Sequence, residues 1–297
     1  MNPPKPPTPN PIEPKPNPPK PQSPGVGGGV GAVLPGRPRR RGVWIVLAVL
    51  TAIVVVLPTG VATLGRLLER TERATETVPG PIRTLEIDAG AATVAVGAGT
   101  TGGVRVHSTL TWSVTKPKVI RSVQAGTLKI RVVCAGEVDP FGGFGCTADL
   151  DLQVPPEVSV RVQATSGQVA IRDLSGDVGV YGTSGRVELA HLRGKVVAET
   201  NSGSIEGRAM ASPEVDADVR SGSIEVSFAD PPRKVSVRTG SGAATVTVPR
   251  GTHYRVDGGT GSGEREVDGA LRDDAATRVI SATTGSGSVR IGYPATR

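Results

Sequence analysis

From residue 81 onward the apolar residues of this chain recur at alternate positions, in runs such as TLEID, TVAVG, VRVHSTLTWSV, LKIRVV and ADLDLQV. That spacing sends successive side chains to opposite faces of a strand, so it predicts β-structure with one buried face. From residue 158 the runs come in pairs, each joined by Ser-Gly: VSVRVQATSGQVAI, VGVYGTSGRVEL, VVAETNSGSIEG, VDADVRSGSIEV, VSVRTGSGAATVTV, YRVDGGTGSGEREV and VISATTGSGSVRIGY. The glycines of these marks are Gly167, Gly185, Gly203, Gly222, Gly242, Gly263 and Gly287, with spacings of 18, 18, 19, 20, 21 and 24 residues. A period near 20 predicts stacked coils, each made of strand, Ser-Gly corner, strand and looser turn. Val158, Val160, Val162, Val169 and Ile171 are predicted to face inward from the first repeat, and Val215, Ala217, Val219, Ile224 and Val226 from the fourth.

A sharp corner between two short strands needs φ > 0, which glycine adopts without a Cβ penalty. Ser or Thr beside it is expected to bond neighbouring amides from coil to coil. Four or so aliphatic side chains per coil bury too little surface to order some twenty residues, so the coils must be stabilised by stacking. An immunoglobulin-like sandwich is the competing all-β fold, but it does not repeat one corner motif. Residues 81–156 repeat less clearly and are expected to supply the first coils and a cap.

Upstream the pattern changes. Residues 1–24 hold 12 prolines, and residues 25–36 are rich in glycine, so 1–42 reads as a disordered Pro/Gly-rich basic tail. Val43 to Gly65 carry no charge and open with VWIVLAVLTAIVVVL. As a helix these 23 residues span about 34 Å, enough for one membrane crossing. Arg37, Arg39, Arg40 and Arg41 precede the span, which predicts a cytoplasmic N-terminus and an external C-terminal region. A cleaved signal peptide is the competing reading, although no clean small-x-small site follows. RLLERTERATETVPG, residues 66–80, reads as a short charged helix or stalk.

The net charge of +7 belongs to the tail, because residues 80–297 carry 24 basic and 23 acidic side chains. The folded region therefore gives no support for nucleic-acid binding. Cys134 and Cys146 are the two cysteines and flank AGEVDPFGGFG, a Pro/Gly turn between β-like runs. A hairpin with a disulfide across its neck is the expectation, in keeping with an oxidising compartment, against free thiols or half of a metal site.

The V-x-V-x-x-x-S-G-x-V/I-x-V/I units, seven in tandem after an apolar span, resemble the bacterial DUF4097 family, described as candidate adhesins of the envelope, and the likeness covers residues 81–297. The resemblance implies a β-solenoid on the outer face of the cytoplasmic membrane. Together the readings give an all-β, single-domain β-solenoid of parallel stacked repeats, following a disordered tail (1–42), a transmembrane helix (43–65) and a stalk (66–80).

Candidate chemistry is sparse. His107, His191 and His253 fall in different coils without metal spacing, and the seven Ser-Gly serines lack a nucleophile elbow. Gly97, Gly99 and Gly102 match GxGxxG but precede a strand, where a dinucleotide site needs a helix. Asp216, Asp218 and Glu225 invite comparison with glycosidase carboxylates, yet Asp216 and Asp218 share one solvated strand face. No catalytic residue, metal or cofactor is expected. The sequence points to a single-pass membrane protein displaying its solenoid for adhesion, envelope contact or assembly, with an envelope glycan or protein as ligand. Envelope-stress signalling through PxxP segments of the tail is the alternative. The lengthened late turns, PRGTHY and GALRDDAATR, are the expected binding edge.

Overall fold

The computed structural model describes residues 44–52, 70–99, 102–113, 116–134 and 146–294. The chain divides into two units, Met1–Val54 and Val55–Arg297. In the first, residues 44–52 are helical and exposed, and the Thr51 hydroxyl donates to the Leu47 carbonyl at 2.8 Å. Among the described residues no helix is long and apolar enough to cross a membrane. The tail at 1–42 and most of the 43–65 span lie outside the described residues.

The second unit is all-β and open, its sheet bent along the Ser-Gly corners without closing on itself. Each of β10 (Val178–Ala190), β11 (Val196–Met210), β12 (Glu214–Phe228), β13 (Lys234–Thr247), β14 (Arg255–Val267) and β15 (Val279–Gly292) is one long strand bent at its Ser-Gly. Parallel pairing sets Ser184 against Ser202, Ser202 against Ser221, Ser221 against Ser241, and Ser241 and Ser262 both against Ser286. The two arms of a coil bury their alternate residues in one common core, as Val196, Ala198 and Ile205 do in β11. All ten residues predicted to face inward from the first and fourth repeats are buried there.

Two constraints meet at the corner. Gly185, Gly203, Gly222 and Gly242 have φ between +124° and +139°. A Cβ on Gly203 would also stand 1.9 Å from the Gly185 carbonyl oxygen, and one on Gly222 would stand 1.8 Å from that of Gly203. The hydroxyl chemistry differs from expectation. Buried threonines two residues before the serine donate to carbonyls of the bend, Thr200 to Ser202 at 3.1 Å and Thr284 to Ser286 at 3.2 Å. The serines of these corners, such as Ser184 and Ser202, instead point to solvent. A carbonyl turned inward at the bend needs a donor from the core, and threonine is the residue placed to give it.

Three features depart from simple stacking in chain order. First, β15 lies between β13 and β14, so the last coil of the sequence is the penultimate one in space. Second, Cys134 and Cys146 are bonded, with Cα atoms 6.1 Å apart, but β6 (Thr127–Val133) and β7 (Cys146–Val154) do not form a hairpin. They run parallel to β2 (Thr84–Gly90) and β3 (Thr93–Ala98) respectively, as the two arms of one coil. The disulfide therefore closes a corner, where the repeats use Ser-Gly. β2 and β3 in turn stack on β8 (Ser159–Ala164) and β9 (Gln168–Arg172).

Third, residues 70–79, expected in a helix or stalk, form β1 (Arg70–Pro79). It pairs antiparallel with β4 (Gly103–Trp112), which covers β7, while β5 (Lys118–Gln124) covers β6. The β-branched run around Thr71, Thr75, Thr77 and Val78 suits a strand better than a helix. Ion pairs from Lys116 to Glu72 at 2.6 Å and from Arg121 to Glu76 join the two covering layers.

Candidate functional site

The outward face of the first arms is the most differentiated surface of the stack. Registered pairing lines up Arg131, Asp88, Gln163, Tyr181, Glu199, Asp218 and Arg238 in one row across it. A second row holds Lys129, Glu86, Arg161, Gly179, Val197 and Asp216. The flanks of both rows are internally neutralised. Arg131 pairs with Asp88 at 2.9 Å and Lys129 with Glu86 at 3.3 Å. At the other flank Arg238 bonds Asp218 at 2.9 Å and Asp216 at 3.0 Å. The hydrogen bond to Asp218 holds the Arg238 guanidinium above its ordinary pKa.

The centre is different. Tyr181 is half-buried and lies back over Gly179, where an added Cβ would stand 3.3 Å from its Cε2. The Arg161 guanidinium sits 5.7 Å from the ring centroid, within cation–π range. Three shallow clefts of about 440, 330 and 290 Å³ share Tyr181 as a wall. Around them Gln163, Glu199, Asn201 and Arg220 are exposed and have no ion pair or side-chain hydrogen bond within the described residues.

The residues singled out from the sequence lie elsewhere or serve structure. Asp216 and Asp218 are bound by Arg238, while Glu225 sits on the second arm of β12. His107 accepts from or donates to Thr75 at 2.8 Å, and His191 meets Asp173 at 3.1 Å, in separate regions of the stack. Gly97 is the last residue but one of β3 and Gly102 precedes β4, so the GxGxxG match joins two strands. Among the described residues no group of three or more His, Cys, Asp or Glu side chains is placed to hold a metal ion.

The late turns form the cover of the stack's end. Tyr254 and Leu271 are fully buried there, and the Tyr293 hydroxyl lies 3.0 Å from the Thr252 carbonyl and 3.3 Å from that of Ala270, close enough to bond both turns. Tyr181 went unnoticed in the sequence, although its signal is present. In VGVYGTSG the outward position that carries Gln163, Glu199, Asp218 or Arg238 in other coils carries an aromatic ring.

The family model described as Toastrack DUF4097 matches residues 150–294. No match is found among curated proteins. Among solved structures the chain is similar to a "putative cell adhesion protein" from Clostridium sporogenes, at 13% identity over 76% of this chain and 100% of that one, with a TM-score of 0.33. A "putative adhesin" from Bacteroides fragilis follows at 12% identity, 76% and 97% coverage and a TM-score of 0.40. A third, a "putative lipid binding protein" from Parabacteroides distasonis, has 14% identity, 75% and 96% coverage and a TM-score of 0.27. With its Ser-Gly coils in register from β10 to β15, the chain is similar, over residues 150–294, to the Toastrack DUF4097 family.

Proposed function

We propose that this protein is a non-enzymatic, single-pass membrane protein that holds its stack of coils outside the cell for adhesion-type contact with the envelope. The observation that carries the reading is the first-arm face, whose flanking charges are neutralised internally while the side chains around Tyr181 are left without partners. A surface built on registered strands holds such groups in fixed positions, so little ordering is needed on binding. The uncharged stretch at 43–65 supplies the anchor, and the arginines before it favour an inside N-terminus. The Cys134–Cys146 disulfide favours an oxidising side for the folded region.

The test uses the full chain in lipid vesicles, mixed with isolated wall and envelope fractions. Retention on one of those fractions without chemical change to it is the expected result. Vesicles that stay free of every fraction, or turnover of a glycan or peptide by the purified protein, would sink the reading.

A further inference from the structure

The Tyr181 patch is, we propose, a saccharide subsite that takes a β-linked pyranose oligosaccharide, one sugar ring lying on the tyrosine. This rests on the adhesion reading above and gives its ligand a chemical class. The ring is reached from open space through three clefts: Gly179 lies beneath it, Gly182 follows it in the strand, and the Arg161 guanidinium 5.7 Å from its centroid is the charged group set over it. On the first-arm rows of residues 84–238 it is the one aromatic, at a position given elsewhere to polar side chains.

The rim fits the same ligand. Gln163 and Glu199 flank Tyr181 in register, and Asn201 and Arg220 lie beside the adjoining cleft. Amide, carboxylate and guanidinium groups each offer two or more hydrogen-bonding atoms in a plane, which suits adjacent hydroxyls. A pyranose presents an apolar C–H face to an aromatic ring and a polar rim to such groups. Its length is also close to the coil spacing of about 4.8 Å, so a chain running along the stack would meet one coil per sugar.

Other ligands fit less well. An amphipathic helix needs a contiguous apolar groove, and Val197 is the one partly exposed aliphatic side chain beside Tyr181. A polyanion needs an excess of cations, and the clefts hold Arg161, Lys195 and Arg220 beside Glu86, Asp177, Glu199 and Asp218.

Cellohexaose and chitohexaose serve as probes against the full chain in lipid nanodiscs, read by calorimetry and saturation-transfer NMR. At least one hexasaccharide is expected to bind, with Tyr181→Ala weakening it about tenfold or more and Tyr181→Phe retaining it. If neither binds, the pyranose assignment falls, even where retention on envelope fractions keeps the adhesion reading intact. Equal binding by Tyr181→Ala places the site elsewhere and overturns the proposal. Should that variant melt early, Arg220→Ala, on an exposed side chain, carries the test: weaker binding supports the subsite and unchanged binding overturns it.

Discussion

Gly203 lies so close to the coil before it that a Cβ would stand 1.9 Å from the carbonyl oxygen of Gly185. Its φ of +124° is a second obstacle to any side chain. Gly203→Val must therefore strain the backbone and also push adjacent hydrogen-bonded coils apart. We expect a loss of about 3 kcal/mol or more, seen as a fall in melting temperature of roughly 6 °C or more by circular dichroism. Gly259→Ala is the control, because nothing lies within 4 Å of its Cβ direction and its φ is not positive. Equal melting of the two variants would contradict the corner geometry.

The Cys134–Cys146 bond closes a corner at a sequence separation of 12, in the outermost parallel coil of the N-terminal end. Its removal frees the arms β6 and β7 to separate, whereas a hairpin would stay joined by its ladder. The double variant Cys134→Ser/Cys146→Ser is expected to lose about 3 kcal/mol. Reductant should lower the melting temperature of the natural chain and leave the double variant unmoved.

Alternation and the Ser-Gly mark made most of the stack legible, because both report on short-range geometry: Val215 and Ile224 face inward by strand period alone. The order of coils was not legible, since the Ser-Gly mark is the same in β13, β14 and β15 and the pairing of β15 with both is set by contacts distant in the chain. The bond between Cys134 and Cys146 was legible, but its setting in a coil rather than a hairpin was not. A Pro/Gly turn between two strands looks the same in a hairpin and in a coil, and only the partners β2 and β3 decide. Tyr181 escaped notice because its importance lies in what its neighbours lack, which becomes visible once Gly179 and Arg161 are in register.

Tyr254 is fully buried under the end cover, and its hydroxyl finds no partner among the described residues. Burial pushes its pKa up to about 12 from 10.0, with Arg278 opposing. A phenol whose pKa is raised by folding stabilises fully below pH 10, and that contribution is lost as the pH climbs through 12. The natural chain should lose about 2 to 3 kcal/mol across that interval. Tyr254→Phe is expected to be neutral or stabilising at pH 7, since an unsatisfied hydroxyl is removed, and to flatten the alkaline loss. Denaturant melts at pH 7, 10 and 12 check both signs.

β14 cannot serve as the neighbour of β13 that β15 is. Where β15 turns Ile280, Ala282, Val289 and Ile291 inward, the registered positions of β14 are Val256, Gly258, Arg265 and Val267. Arg265 in place of an aliphatic side chain, together with the kink at Gly258 with φ +100°, blunts the open edge against pairing with another sheet. It also leaves β14 dependent on β15 for its place. A chain ended after Arg278 should therefore lose two coils: β15 is absent, and β14 has too little apolar surface to seat on β13. Limited proteolysis is expected to cut such a chain within residues 250–278 while sparing β10 to β13. Protection of that segment in the shortened chain would mean that β14 can dock directly on β13, against the intercalated order.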